Sequence, residues 1–309
     1  MSGKARLLCA GEALIDMLPR RTAEGETAFA PHPGGATFNA AIAAARLGLP
    51  TTVFTGLSTD LFGARLTRAM EADGVDTSLA LRTGRPTTLA FVSLTEGHAQ
   101  YEFYDENTAG RMIGLEDIPA IPGGVAAALF GGISLAVEPA AEAYAALADR
   151  AQAAGKVVML DPNIRPGFIS DPARYRARLD RLLAKTDILK LSDEDLHWWQ
   201  ATGDAQALLG RGPSLVLLTR GAKGAVACRE GGAVEVAADP VRVVDTIGAG
   251  DTFNAGFLAG LDEAGALTRD ALQAAPDDVL TAALTLATRA AAVTVSRAGA
   301  NPPMRGDLA

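Results

Sequence analysis

Residues 244–257, Val-Asp-Thr-Ile-Gly-Ala-Gly-Asp-Thr-Phe-Asn-Ala-Gly-Phe, constrain the fold more than any other stretch of the chain. A β-branched run (Val241, Val243, Val244) leads to Gly248-Ala249-Gly250, after which Phe253, Phe257, Leu258 and Leu261 recur at the spacing of one helix face. The pattern predicts a strand over 241–244, a glycine turn, and a helix over 251–264 with Asp251 in its first turn. The leading N–H groups of a helix lack internal partners, and the helix dipole adds partial positive charge there. Small residues in front of them let an anion approach, so the segment is a cradle for an oxyanion or a phosphate. Asp251 sets a negative charge beside that cradle. Two readings stay open from these residues alone. Asp251 is a helix-capping carboxylate, or it is a general base that takes the proton of an attacking hydroxyl while the amides hold a phosphoryl group.

A chain of 309 residues with 49% hydrophobic and 21% charged residues has the size and composition of a soluble globular α/β protein. Its net charge of −8 and the lack of any basic tract argue against a nucleic-acid partner. Cys9 and Cys228 each lie in an apolar run and are expected as buried thiols rather than a disulfide. Lys4, Arg6, Glu12 and Asp16 surround a short apolar stretch that makes a poor signal peptide and is too short to span a membrane. A cytoplasmic location and no membrane partner are therefore expected. His32, His98 and His197 are scattered, which argues against a histidine metal site or a histidine triad.

Short apolar runs alternate with helical patterns along most of the chain. Strands are predicted at 7–10, 13–18, 51–56, 129–135, 157–160, 187–191 and 214–219, with a hairpin across 225–237. Helices are predicted at 39–47, 64–73, 140–154, 172–184, 193–201 and near 278–295, several closed by Gly48, Gly74 or Gly155. The rhythm breaks at 19–33, a polar stretch punctuated by Pro and Gly. It breaks again at 87–94 and 99–104, two strands joined through Glu96-Gly97-His98. The expected fold is α/β: one domain over 1–309 with a three-layer, doubly wound, mainly parallel sheet, and a small β-sheet lid formed by about 14–33 and 85–110.

Several polar segments fall at predicted strand ends, where ligands of such sheets bind. Asp16 has the acceptors to hold sugar hydroxyls, or is a solvated residue at the lid edge. Gly34-Gly35 precede a helix and permit close ligand approach, with Asn39 one turn further on. Asp161-Pro162-Asn163-Ile164-Arg165 has the make-up of an active-site loop or of a plain turn. Leu218-Thr219-Arg220-Gly221-Ala222-Lys223-Gly224 is a glycine-rich strand exit suited to nucleotide phosphates, although it lacks P-loop spacing. Ser192-Asp193-Glu194-Asp195, after Lys190, is an acid-rich helix start or an outer-sphere magnesium site.

Two of these segments are linked by a resemblance. Gly34-Gly35-Ala36-Thr37-Phe38-Asn39-Ala40-Ala41 and Asp245-Thr246-Ile247-Gly248-Ala249-Gly250-Asp251-Thr252-Phe253 closely resemble the paired signatures of the PfkB-type (ribokinase-like) carbohydrate kinases. The resemblance runs in order from Asp16 to Asn301. It implies a ribokinase-like fold and transfer of the γ-phosphoryl group of ATP to a sugar hydroxyl. It assigns Asp251 as the base and the amides of Gly248, Ala249 and Gly250 as the anion hole. Asp16, Gly34, Gly35, Asn39 and Glu138 would hold the sugar, and Arg165 would meet ATP phosphates or a substrate carboxylate. Thr219, Gly221 and Gly224, with Lys190, would form the ATP site. Asp195 would serve Mg2+, and Asp245 with the Ile247 carbonyl would form a monovalent-cation loop closed around Arg297 and Gly299. Ser192 stands where many members carry Asn, and Pro303 stands where some offer a side-chain oxygen, which leaves potassium activation open. The segments 131–139, 161–166 and 190–196 look most like bacterial fructokinases, whereas the lid segment 101–111 departs from their pattern. The alternatives within the family are 2-keto-3-deoxygluconate kinase, ribokinase and nucleoside kinase. A sugar or nucleotide sensor without activity is the alternative outside it. Pairing of two copies through the lid is a further expectation.

Overall fold

A computed structural model describes residues 5–95, 98–199 and 205–308. The chain opens with β1 (Arg6–Ala10), β2 (Leu14–Arg21), β3 (Thr27–Gly34) and α1 (Ala36–Arg46). Next come β4 (Thr51–Phe54), β5 (Gly56–Ser58), α2 (Leu61–Ala72), β6 (Leu81–Thr83), β7 (Leu89–Thr95) and β8 (His98–Tyr104). The alternating part holds β9 (Val125–Gly131), α3 (Ala140–Ala153), β10 (Val157–Asp161), α4 (Pro172–Leu183), β11 (Ile188–Ser192) and α5 (Asp193–Trp198). It closes with β12 (Leu215–Thr219), β13 (Ala225–Arg229), β14 (Gly232–Val236), α6 (Ala249–Glu263), α7 (Arg269–Gln273) and α8 (Asp277–Val295).

Eight strands form the main sheet in the order β14-β13-β12-β11-β10-β9-β1-β4. All neighbours from β4 to β12 run parallel, and β13 and β14 continue the sheet antiparallel. Because successive strand residues point to opposite faces, Leu7 and Cys9 of β1 enter one core while Leu8 and Ala10 enter the other. The first core packs the sheet on α1, α2, α6 and α8, and the second packs it on α3, α4 and α5. These are the three layers expected. The chain winds from β1 to β4 on one side and resumes with β9 on the other, so a topological switch point lies between β1 and β9.

A second sheet, in the order β3-β2-β7-β8, stands beside the first and fits a lid. The stretch expected as an irregular excursion at 19–33 is mostly strand, because β2 continues to Arg21 and pairs with β3 from Leu14↔Gly34 to Arg21↔Thr27. β7 and β8 pair as predicted, although residues 96–97 of the expected turn lie outside the described residues, as do residues 200–204 beyond α5. The strand expected over 129–135 ends at Gly131, and residues 133–135 form a 3-10 turn instead.

The strand predicted over 241–244 is not formed. Residues 237–246 carry no ladder, and Val243 and Val244 are more than half exposed. The segment is anchored near its end, where the Val295 carbonyl accepts from the amides of Val244 (2.8 Å) and Asp245 (3.2 Å), and Asp239 pairs with Arg289 at 3.8 Å nearer its start. β-Branched residues favour extended backbone, but a strand also needs a neighbour with free hydrogen-bonding groups. Among the described residues no strand lies alongside 241–244, although β14 leaves one edge of the main sheet open.

α6 carries the glycine turn, and its position is set by close approach to α8. A Cβ on Gly260 would lie 2.6 Å from the Ala283 Cα, and one on Gly256 would lie 2.8 Å from the Ala287 Cα. Gly260→Ala is therefore expected to lower stability by about 1–3 kcal/mol through overpacking, against about 1 kcal/mol of gained helix propensity. The midpoint of urea unfolding is the measurement. α8 is long and apolar enough to cross a membrane, yet half of its most apolar window is buried in this fold.

Candidate active site

The carboxyl ends of β1, β9 and β10 meet the amino ends of α1 and α6 at the switch point, and the small sheet closes over them. Glu12 follows β1 and is nine-tenths buried. Its carboxylate accepts from the Ala36 amide at the start of α1 (3.1 Å) and from the Ser134 amide after β9 (3.2 Å). Burial raises its pKa, and these hydrogen bonds oppose the rise. Glu12 thus pins two loops of the site to each other, a task that nothing in its local sequence announced.

Between these elements lies a cavity of about 220 Å3. Asp16, Gly35, Asn39, Arg165, Gly248 and Asp251 are among its walls, together with Asn163, Thr246 and Ile247. The small sheet contributes Tyr101 and Phe103, and Phe103 packs edge-on against Phe168 at 4.7 Å. Residues 235 positions apart in sequence thereby share one chamber (251 − 16). Polar groups converge on a partly apolar wall, which is the character of a small-molecule site. Gly34 sits against the Asp16 carboxylate, and Gly35 adopts φ 105° with its missing Cβ 2.8 Å from the Glu12 carbonyl. A side chain at either position would push the Asp16 strand and α1 apart.

Asp251 occupies the third position of α6, whose cap is Gly248 at φ 77°. Its side chain is buried, and Oδ2 accepts from Asn39 Nδ2 at 2.9 Å. Burial lifts its pKa to about 7. The Asn39 hydrogen bond opposes the rise, as does the Lys190 charge, while Asp161 adds to it. A carboxylate so placed takes up a proton far more readily than one in water. It is no ordinary cap, since its hydrogen bond goes to another helix. Asp16, at the opposite wall, is raised to about 6 by burial and by Asp245.

Beneath the glycine turn, Lys190 reaches inward from β11. Its ammonium is buried, 3.1 Å from Asp161 Oδ2, and 3.1 Å from where a Cβ of Gly250 would project. Burial alone lowers its pKa, but Asp161, Asp195 and Asp251 outweigh that and hold the amine above its ordinary value. Lys190 was expected among the ATP residues; it lies under the cradle, locked in an ion pair, rather than on the open strand exit. Asn254, one turn beyond Asp251, donates to the same Asp161 oxygen at 2.7 Å.

Other expected site residues lie elsewhere. Glu138 is not a wall of the chamber, since its carboxylate pairs with Arg174 (2.9 Å) and with the buried Arg178. Asp195 caps α5: Oδ2 accepts from the Ser192 amide and hydroxyl, at 2.9 and 2.7 Å, and Oδ1 from the Ile164 amide at 2.8 Å. With both oxygens engaged and the residue buried, direct ligation of a divalent ion by Asp195 does not fit. Among the described residues no group of three or more His, Cys, Asp or Glu is arranged to hold a metal. Asp245 braces its own loop, accepting from Ile247 (3.0 Å) and from Gly299 (2.9 Å). Thr219, Gly221 and Gly224 form the turn at the carboxyl end of β12, where Thr219 pairs in register with Ser192, on the same sheet edge as the chamber.

A helix N-terminus capped by glycine, a buried carboxylate with raised proton affinity and a polar chamber suit an enzyme that moves an anionic group onto a hydroxyl. Comparison with known proteins narrows the class. The model of the pfkB family carbohydrate kinases matches residues 4–306. The chain is 52% identical over 267 residues to a fructokinase of Rhizobium leguminosarum bv. trifolii, covering 85% of this chain and 82% of that one. The crystal structure of a fructokinase from Xylella fastidiosa with bound ATP superimposes with a TM-score of 0.90 at 30% identity, covering 99% of this chain and 97% of that one. A fructokinase from Vibrio cholerae O395 in a fructose, ADP and calcium ion bound form gives a TM-score of 0.84 at 26% identity, covering 96% and 94%. The chain belongs to the pfkB family of carbohydrate kinases. It is a phosphotransferase that acts on a sugar hydroxyl.

Proposed function

We propose that this enzyme is an ATP-dependent fructokinase in which Asp251 is the general base. One observation carries the reading: Asp251 is buried in the wall of the chamber at the positive end of α6, beside the amides of Gly248, Ala249 and Gly250. The acceptor hydroxyl gives its proton to Asp251 as its oxygen bonds to the γ-phosphorus, the bond to the β,γ-bridging oxygen breaks and ADP leaves, while those amides receive the charge of the transferring group. Asn39 fixes the carboxylate. Asp16, with Gly34 and Gly35 at its back, holds other hydroxyls of the sugar, and Arg165 meets the phosphates. The turn at Thr219, Gly221 and Gly224 receives the nucleotide. Magnesium arrives with ATP as part of the substrate, and both Asp195 oxygens already accept hydrogen bonds from the protein. The small sheet, through Tyr101 and Phe103, excludes water that would otherwise compete as acceptor. Cytoplasmic residence follows from these substrates. The aromatic outer face of the small sheet, Phe29, Phe91 and Tyr104, is where a second copy would pair.

A panel of fructose, 2-keto-3-deoxygluconate, ribose and adenosine with Mg·ATP, run with and without potassium, tests the substrate. The kcat/KM for fructose is expected to exceed the others by at least about tenfold. Equal or better turnover of the acidic sugar would move the assignment to 2-keto-3-deoxygluconate and give Arg165 the carboxylate. A rise in rate with potassium would assign the Asp245 loop to a cation.

A further inference from the structure

A second, smaller cavity of about 10 Å3 adjoins the chamber and shares Asp251 and Ala36 with it. Its polar wall is Asp251, Asp161, Asn254 and Thr37, and its apolar wall is Ala40, Leu129 and Phe130. That volume is about the least that admits one water molecule. Asn254 is 2% exposed, and its Oδ1 has no hydrogen-bond partner among the described residues. The amide cannot be turned to relieve this. Its Nδ2 donates to Asp161 at 2.7 Å, and exchanging the two atoms would set an oxygen against a carboxylate. A buried amide oxygen left unpaired costs free energy that native proteins rarely carry without a bound partner. The space offers a water two kinds of partner: acceptors in Asn254 Oδ1 and the two carboxylates, and a donor in the Thr37 hydroxyl.

We propose that Asn254 is a positioning residue for catalysis: with Asp161 and Thr37 it holds one ordered water against Asp251, fixing that carboxylate toward the acceptor hydroxyl. The inference rests on the assignment of Asp251 as the base. The water donates to Asn254 Oδ1 and to Asp251, so the ionised carboxylate is solvated from the small cavity while substrate covers it from the chamber. Asp161 is tied in turn to Lys190, so the water site belongs to a rigid, ion-paired set rather than to a mobile loop. The groups facing Asp251 are Asn39 from α1, Asp161 from β10, Lys190 from β11, and Glu12 and Cys9 at and beyond the end of β1. Of these, Asn39 and Lys190 favour its ionised form and Asp161 and Glu12 oppose it. A water donating to Asp251 adds to the first side.

Asn254→Leu fills the same volume and removes both the acceptor for the water and the donor to Asp161. Its kcat is expected to fall about 10- to 100-fold, the effect of one hydrogen bond to a charged group. The KM for sugar should stay within about threefold, and the acid limb of the kcat–pH profile should move to higher pH. Asn254→Ser keeps a donor and leaves room for more water, so it should recover most of the rate and return the limb toward its wild-type position. Should Asn254→Leu not fold, a high-resolution crystal structure of the wild-type enzyme reads the site directly. Density for a water within hydrogen-bond distance of Asn254 Oδ1 supports the proposal, and an empty cavity overturns it. A folded Asn254→Leu enzyme with wild-type rate and an unmoved limb overturns it as well, as does Asn254→Ser as slow as Asn254→Leu. Full activity of Asp251→Asn would instead remove the base assignment, and the water density would not be affected by that result.

Discussion

Asp251→Asn is expected to lower kcat by about a thousandfold or more while sugar binding stays measurable. General-base help contributes about 10²–10⁴ in rate, and Asn keeps the shape while losing the proton acceptor. Turnover within about tenfold of wild type would remove Asp251 from the base role. In the wild type, kcat should rise with pH through about 7, the region to which burial lifts the Asp251 pKa. The same shift bears on stability with a definite sign. A carboxyl whose folded-state pKa is raised binds its proton more tightly when folded. The stability it contributes is complete below about pH 4, the unfolded value, and is lost as pH rises through about 7. Asn cannot ionise, so the variant should melt above the wild type at pH 8, and the gap should close as the pH falls toward 4. Equal melting temperatures at both ends would show that the Asp251 charge is not buried at a cost.

Gly248→Ala is expected to have the second largest effect. Gly248 holds φ 77°, where a Cβ costs about 1–2 kcal/mol, and that Cβ would lie 2.7 Å from the Cβ of Ala300. Relief of the clash must move the turn, the Ala300 loop or both, and in the proposed function that turn supplies the amides that receive the transferring phosphoryl group. Loss of one such donor costs about 10²–10³ in kcat. A fall of that size with a change in KM for sugar below about threefold would match the anion-hole role. A fall in melting temperature with kcat preserved would leave Gly248 as a packing residue only.

The parallel core was legible because strands buried on both faces read as short apolar runs, and helices ending at Gly48, Gly74 and Gly155 were marked by their terminators. Asp251 and its glycines were legible because three rare requirements, positive φ, close approach and a carboxylate, fall within four residues. The run at 241–244 misled, because side-chain shape favours an extended backbone whether or not a neighbouring strand is free to accept it. Glu138 misled for a related reason. It was placed beside the sugar by the family resemblance alone, and Arg174 and Arg178, more than thirty residues later, pair with its carboxylate. Glu12 and Asn254 show the opposite failure. Each has its role fixed by partners far along the chain, and a buried polar residue in an apolar stretch was the one signal available.

The cradle at Gly248 also has a place in the timing of synthesis. Its approach segment hangs from the Val295 carbonyl, Asp245 closes on the Gly299 amide, Gly248 rests against Ala300, and Asn301 accepts from Arg46 of α1. A growing chain can complete its first strands and helices while still on the ribosome. The contacts that brace the turn at Gly248 come from residues 295–301, which are among the last to be made. A truncation that stops before Val295 is expected to remove this clasp while leaving Gly248 to Asp251 in the chain.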